Sequence, residues 1–261
     1  MNFPHVDRVI YKTNPLDQVL CQFKFQPILK INTEPPATFQ DEIRSLGFSN
    51  YSLDNSFNIQ LNTIRRENLS PIDISNHISH VFSSGEEQGK QKIVHLTSES
   101  LSLTSQKYSR WEEFLSDFNY ILDIFNRIYD PVVITRIGLR YTNLIDRNKL
   151  GFSQASTWGS LVNKNILGLI NDSTLEPFIS GTLSVSIIDL EEQVGKLRLQ
   201  TQLVEQDDVR KFIIDSDIFA EERLSHDEAI HRLNIFNGYI RRIFRYCITT
   251  QLHEALEPNQ P

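Results

Sequence analysis

A chain of 261 residues with 39% hydrophobic and 23% charged residues has the apolar material for a sizeable core and too little polarity for a disordered protein. Its formal net charge of −7 opposes general attraction to nucleic acid or to anionic membranes. No apolar run reaches membrane-spanning length, Met1 to Lys12 lacks a signal-peptide core, and Cys21 and Cys247 lie far apart, so a cytoplasmic protein with reduced thiols is expected.

Asn14-Pro15-Leu16 reads as a turn before a strand predicted over Val19 to Ile31, in which Val19, Cys21, Phe23 and Phe25 share one face. Pro35 and Pro36 introduce a short helix over Ala37 to Leu46, which Gly47 ends. Strands follow at Phe57 to Leu61, Ile74 to Phe82, Ile93 to Leu96 and Leu101 to Thr104. The spacing of Trp111, Phe114, Leu115, Phe118, Ile121, Leu122, Phe125 and Ile128 predicts a helix from Arg110 to Tyr129. Ser109 and Glu112 have the spacing of a capping box, and Pro131 stops the helix.

The order then begins again. A strand is predicted over Val132 to Ile145 and a helix over Thr157 to Ile170 that buries Trp158, Leu161, Ile166 and Leu169. Strands follow at Leu183 to Ile188, Leu197 to Val204 and Lys211 to Phe219. The last helix starts at a second capping box, Ser225 and Glu228, and runs to Leu256. The fold class is α+β: two tandem β-α-β(3-4)-α units, residues 1–131 and 132–261, packed as one body with the long helices on one face of antiparallel sheets. This order resembles the tandem saddle of the TATA-binding-protein type, or a pair of helix-grip units. The halves share element order but no residue-level identity.

At the centre stands Arg136-Ile137-Gly138-Leu139-Arg140-Tyr141-Thr142-Asn143. Alternation puts Ile137, Leu139 and Tyr141 on one face, and Arg136 and Arg140 on the other with a gap at Gly138. The expected apolar faces continue through Leu183, Val185, Ile187; Leu197, Leu199, Leu203; and Phe212, Ile214, Ile218. The opposite face collects Arg136, Arg140, Arg198, Gln200, Asp215 and Asp217, which are the candidate binding residues, with Gln22 and Lys24 from the first half. Such a face is either a solvated outer surface or a recognition surface for a polar partner.

Asp215 and Asp217 could hold Mg²⁺, but two carboxylates make a weak site and Arg136 and Arg140 would satisfy them without metal. His77, His80 and His95 lack zinc spacing, and His226 and His231 are five apart, off a shared helix face. Gly85 to Gln91 is a hairpin turn, one residue short of a phosphate-binding loop. Arg241, Arg242 and Arg245 read as the solvated face of the last helix, with phosphate contact the lesser reading. No catalytic residue, metal or cofactor is therefore assigned.

Four segments, Asn14-Pro15-Leu16 with its strand, Tyr108 to Phe114, Arg136 to Asn143 and Ile214 to Phe219, together resemble a sporadically distributed, uncharacterised family of prokaryotic proteins of about this length. The resemblance covers nearly the whole chain and brings no known activity. Its patchy distribution implies accessory genes, such as toxin–antitoxin or antiviral-defence loci. The expectation is a non-enzymatic recognition or regulatory protein that binds a protein partner, encoded nearby, through the polar sheet face. A metal-dependent nucleotide- or nucleic-acid-acting enzyme and a nucleic-acid-binding module are the alternatives.

Overall fold

The computed structural model describes residues 3–54, 78–86, 89, 91–131, 133–153, 156–191, 194–206 and 209–260. The chain runs through β1 (Ile10–Tyr11), β2 (Leu16–Phe25), α1 (Lys30–Thr33), α2 (Ala37–Arg44), β3 (Asn50–Asp54), β4 (Ser79–Ser83), β5 (Lys92–Leu96), β6 (Ser100–Ser105) and α3 (Trp111–Tyr129). It continues through β7 (Ile134–Asp146), α4 (Trp158–Leu161), β8 (Thr182–Asp189), β9 (Lys196–Gln206), β10 (Val209–Ala220), α5 (His226–Cys247), α6 (Thr250–Ala255) and β11 (Pro258–Asn259). The class is α+β. Among the described residues nine strands form one antiparallel sheet in the order β3-β4-β5-β6-β2-β7-β10-β9-β8, and β1 pairs with β11 apart from it.

The two opening strands, β2 and β7, lie side by side at the centre of this sheet. Outward from β2 run β6, β5, β4 and β3; outward from β7 run β10, β9 and β8. On each side the last strand of a meander returns to the opening strand. Both long helices cover the same face. Phe118 and Phe125 of α3 meet Phe23 and Phe25 at ring-centroid distances of 4.9 and 4.8 Å, while α5 packs on β7 and β10. Trp111 Nε1 of α3 donates to Asn234 Oδ1 of α5 at 2.8 Å, which ties the helices together. The core between helices and sheet takes Cys21, Phe23, Leu139, Ile214, Ile218, Phe236 and Ile240, all essentially inaccessible. Burial on this scale, at roughly 25 cal/mol per Å², is the main driving force of the fold.

Several elements depart from the sequence expectation, each for a local reason. Strand β2 stops at Phe25 because Pro27 has no N–H for the ladder, and α1 follows where the strand was expected to continue. Strand β3 was not expected, and the strand expected over Phe57 to Leu61 lies outside the described residues, as does the first part of the one expected over Ile74 to Phe82. The helix expected over Thr157 to Ile170 is the single turn α4 followed by 3₁₀ turns at Lys164–Ile166 and Gly168–Asn171. Asn163 opens a new turn by accepting the Asn165 N–H at 3.0 Å, and Gly168 takes φ +55°, which an α-helix does not allow. Leu169 is left exposed, and Leu167 and Ile170 are buried instead.

The capping boxes also differ. Ser225 and Glu228 form theirs: Ser225 Oγ accepts the Glu228 N–H at 3.4 Å and Glu228 Oε2 accepts the Ser225 N–H at 2.8 Å. Ser225→Ala should lower stability by about 1 kcal/mol, read as a shift in urea midpoint with unchanged slope. At α3 the N-cap is Arg110, one residue later than expected, and it makes no side-chain cap. Ser109 instead bonds the Glu113 carboxylate, and Glu112 forms a bidentate pair with Arg8 at 2.6 and 2.7 Å. The last helix does not run to Leu256. It breaks at Ile248, which is extended, and Thr249 caps α6 by accepting the Leu252 N–H at 3.3 Å.

Candidate functional site

Strand register decides what shares a face. Asp217 stands directly opposite Arg140 on β7 and Arg198 on β9, and Asp215 opposite Thr142 and Gln200. The helices lie on the other side, against Ile137, Leu139 and Tyr141. Arg136, Arg140, Arg198, Gln200, Asp215 and Asp217 therefore gather on the helix-free face of β7, β10 and β9. Among the described residues no helix covers this face.

Arg140 grips Asp215 with both ends of its fork: Nε donates to Oδ1 at 2.8 Å and Nη2 to Oδ2 at 2.5 Å. Asp215 is buried, its side chain 2% exposed, whereas that of Arg140 is 42% exposed. The carboxylate is thus enclosed and water still reaches the guanidinium. Arg136 behaves differently. Its Nη1 donates to Gln22 Oε1 at 3.1 Å and its Cζ lies 4.8 Å from the centroid of the Phe219 ring. The gap at Gly138 is not open: a Cβ there would stand 3.1 Å from Arg136 Nη1. The absent side chain makes room for Arg136 itself. Arg198 Nη2 donates to Gln200 Oε1 at 2.7 Å along its own strand.

Asp217 lies among Arg136, Arg140 and Arg198, yet burial pushes its carboxyl above the ordinary carboxylate range, and the three arginines only partly offset this. A raised folded-state value means that the ionised form is less favourable in the folded chain than in the unfolded one. That penalty is absent below the unfolded value and complete once pH has passed the folded value. Asp217→Asn should accordingly raise stability near neutral pH, with the gain shrinking as pH falls through the acid range. Urea unfolding of both proteins across that range tests this, and a neutral-pH loss would mean that the three arginines outweigh burial.

The expected helix-side burial of Leu183, Val185 and Ile187 is wrong. Val185 pairs with Gln200 and Ile187 with Arg198, so all three side chains stand on the open face, 63%, 38% and 50% exposed. Ser184 and Ser186 take the helix side, opposite Thr201 and Leu199. The candidate face is therefore a polar centre bordered by an apolar edge. Phe219 and Gln22 support Arg136 on this face; Gln22 was expected there, and Phe219 was missed. The alternation around Phe219 was legible, but its partner strand was not.

The histidines separate. His80 faces the helix side, where its Nε2 lies 3.1 Å from the Ile31 carbonyl and its Nδ1 3.1 Å from the Tyr51 hydroxyl. His95 pairs in register with Ser102 and Val81, one residue out of phase with His80, and so lies on the opposite face. His77 lies outside the described residues. Among the described residues no three His, Cys, Asp or Glu side chains converge as a metal site. Cys21 and Cys247 are free and buried, and burial pushes both thiols up, that of Cys247 to about 12. They are poor nucleophiles. The arginines of α5 are not a simple solvated face: Arg241 Nε and Arg245 Nη1 are buried with no hydrogen-bond partner among the described residues, and Arg242 lies over the Tyr239 ring at 5.1 Å.

Comparison with protein-family models, curated proteins and solved structures finds no match. No described helix is long and apolar enough to cross a membrane.

Proposed function

We propose that this is a non-enzymatic recognition protein that binds a protein partner across the open face of its sheet. The observation that carries the reading is the composition of that face. Arginines, amides and a stacked Phe219 form its centre, and Leu183, Val185 and Ile187 lie exposed beside them. Arginine and aromatic side chains are the residues enriched in protein interfaces, and exposed apolar residues grouped on one edge mark an interaction surface. The arginines also arrive partly neutralised, Arg140 by Asp215, which suits a protein surface better than a run of phosphates. The net charge of −7 points the same way. The motif resemblance supports a setting in a prokaryotic accessory system, of toxin–antitoxin or defence type, with the partner encoded nearby.

The test is co-expression with the products of flanking genes, followed by calorimetry on whichever complex forms. Val185→Glu and Arg198→Glu should each weaken binding at least tenfold, equivalent to about 1.4 kcal/mol, while leaving the unfolding midpoint nearly unchanged. A complex formed with undiminished affinity by both variants would remove the open face from the function.

A further inference from the structure

On the other side of the sheet, a cavity of about 110 Å³ opens between the N-terminal segment Arg8–Tyr11, the start of α3 and the middle of α5. Trp111, Ile240 and Phe244 give it apolar walls; Tyr108, Tyr141 and Arg241 give it polar ones. The Tyr141 hydroxyl donates to Asn237 Oδ1 at 3.1 Å and lies 3.1 Å from the Tyr108 hydroxyl. With its own proton given to Asn237, Tyr141 accepts from Tyr108, so this pair is already satisfied.

Arg241 is not. Its Nε is buried and has no hydrogen-bond partner among the described residues. Burial makes its charge less favourable, and the neighbouring guanidinium groups of Arg8 and Arg242 add repulsion. Glu112 is no spare counter-charge, because both of its carboxylate oxygens accept from Arg8. The tyrosines cannot supply one either, since burial holds both phenols above their ordinary range and therefore neutral. One turn further along α5, Arg245 Nη1 is likewise buried with no hydrogen-bond partner among the described residues. A half-buried guanidinium that lines a cavity and has no carboxylate bonded to it among the described residues is suited to completion by an anion.

We propose that this cavity binds a small organic carboxylate, its charge on Arg241 and its apolar body between Trp111, Ile240 and Phe244. One unneutralised guanidinium matches one carboxylate in charge and in planar shape. The walls favour an apolar body over a free phosphate, which would leave the rings against water. The volume is of the order of the roughly 150 Å³ cavity known to accept benzene.

Benzoate is the probe, with benzyl alcohol as its uncharged counterpart and inorganic phosphate as the bare anion. Calorimetry on the whole protein should give saturable benzoate binding, at least tenfold tighter than benzyl alcohol and tighter than phosphate. Arg241→Met should weaken benzoate at least tenfold, whereas Arg242→Met, which alters the arginine over Tyr239, should not. Without ligand, Arg241→Met should melt above the wild type, because an uncompensated charge has gone. No saturable benzoate heat, equal affinity for benzyl alcohol, or preference for phosphate would each overturn the proposal in the wild-type protein alone. Undiminished binding by a folded Arg241→Met would do the same. The open face plays no part in these measurements, so either reading can fail without the other.

Discussion

Trp111→Ala should cost about 3–4 kcal/mol of folding stability, the lower part of the range for truncating a buried aromatic. The residue is 6% exposed and begins the apolar stripe of α3, with Phe114 at a ring-centroid distance of 6.0 Å. Its Nε1–H spans to Asn234 on α5, so truncation removes packing and a cross-helix hydrogen bond together. Two features keep the cost from the top of the range. Asn234 is exposed and can turn its amide to water once the indole is gone. The cavity beside Trp111 also means that one side of the ring already lacks dense packing. Trp111→Phe should retain most of the apolar burial and lose mainly the hydrogen bond, about 0.5–1.5 kcal/mol. Urea melts on both variants check the pair, and a loss below about 1 kcal/mol for the alanine variant would mean that the two long helices are held by other contacts.

What the sequence made legible was periodicity; what it hid was partnership. The alternation in Arg136 to Asn143 correctly divided Ile137, Leu139 and Tyr141 from Arg136 and Arg140, because a strand cannot do otherwise. The same reasoning failed at Leu183, Val185 and Ile187. Their alternation is equally clear, but which face it meets is set by register with β9, and a shift of one residue exchanges the two faces. As the edge strand, β8 has no second neighbour to correct that choice.

Helix ends show the same division. Ser225 and Glu228 sit at the true N-terminus of α5 and close their box. Ser109 and Glu112 have the same spacing, yet α3 starts one residue later and Arg8, 104 residues away, claims Glu112. Nothing local distinguishes the two. In the candidate site, Arg140 and Asp215 were legible as residues of opposite charge on one face. The seat of Arg136 was not, since it depends on Gln22, 114 residues earlier, and on Phe219 across the neighbouring strand.

The Arg140–Asp215 pair should respond asymmetrically to mutation, and the asymmetry separates scaffold from site. Arg140→Ala leaves a carboxylate whose side chain is 2% exposed without its bidentate partner. Stranding a buried charge costs about 3–5 kcal/mol. Asp215→Ala leaves the guanidinium instead, and at 42% exposure that group can regain water. Its loss should be smaller, about 1 kcal/mol, in the range of a partly exposed pair. The double variant should then be more stable than Arg140→Ala alone, because it removes the charge that the single change strands. Urea midpoints for the four proteins complete a double-mutant cycle. Equal losses from the two single variants would place the carboxylate in water and reduce the pair to a surface contact. If the predicted order holds, Arg140 is anchored as scaffold. Arg198, whose hydrogen bond among the described residues runs along its own strand to Gln200, is then better placed than Arg140 to meet a partner on this face.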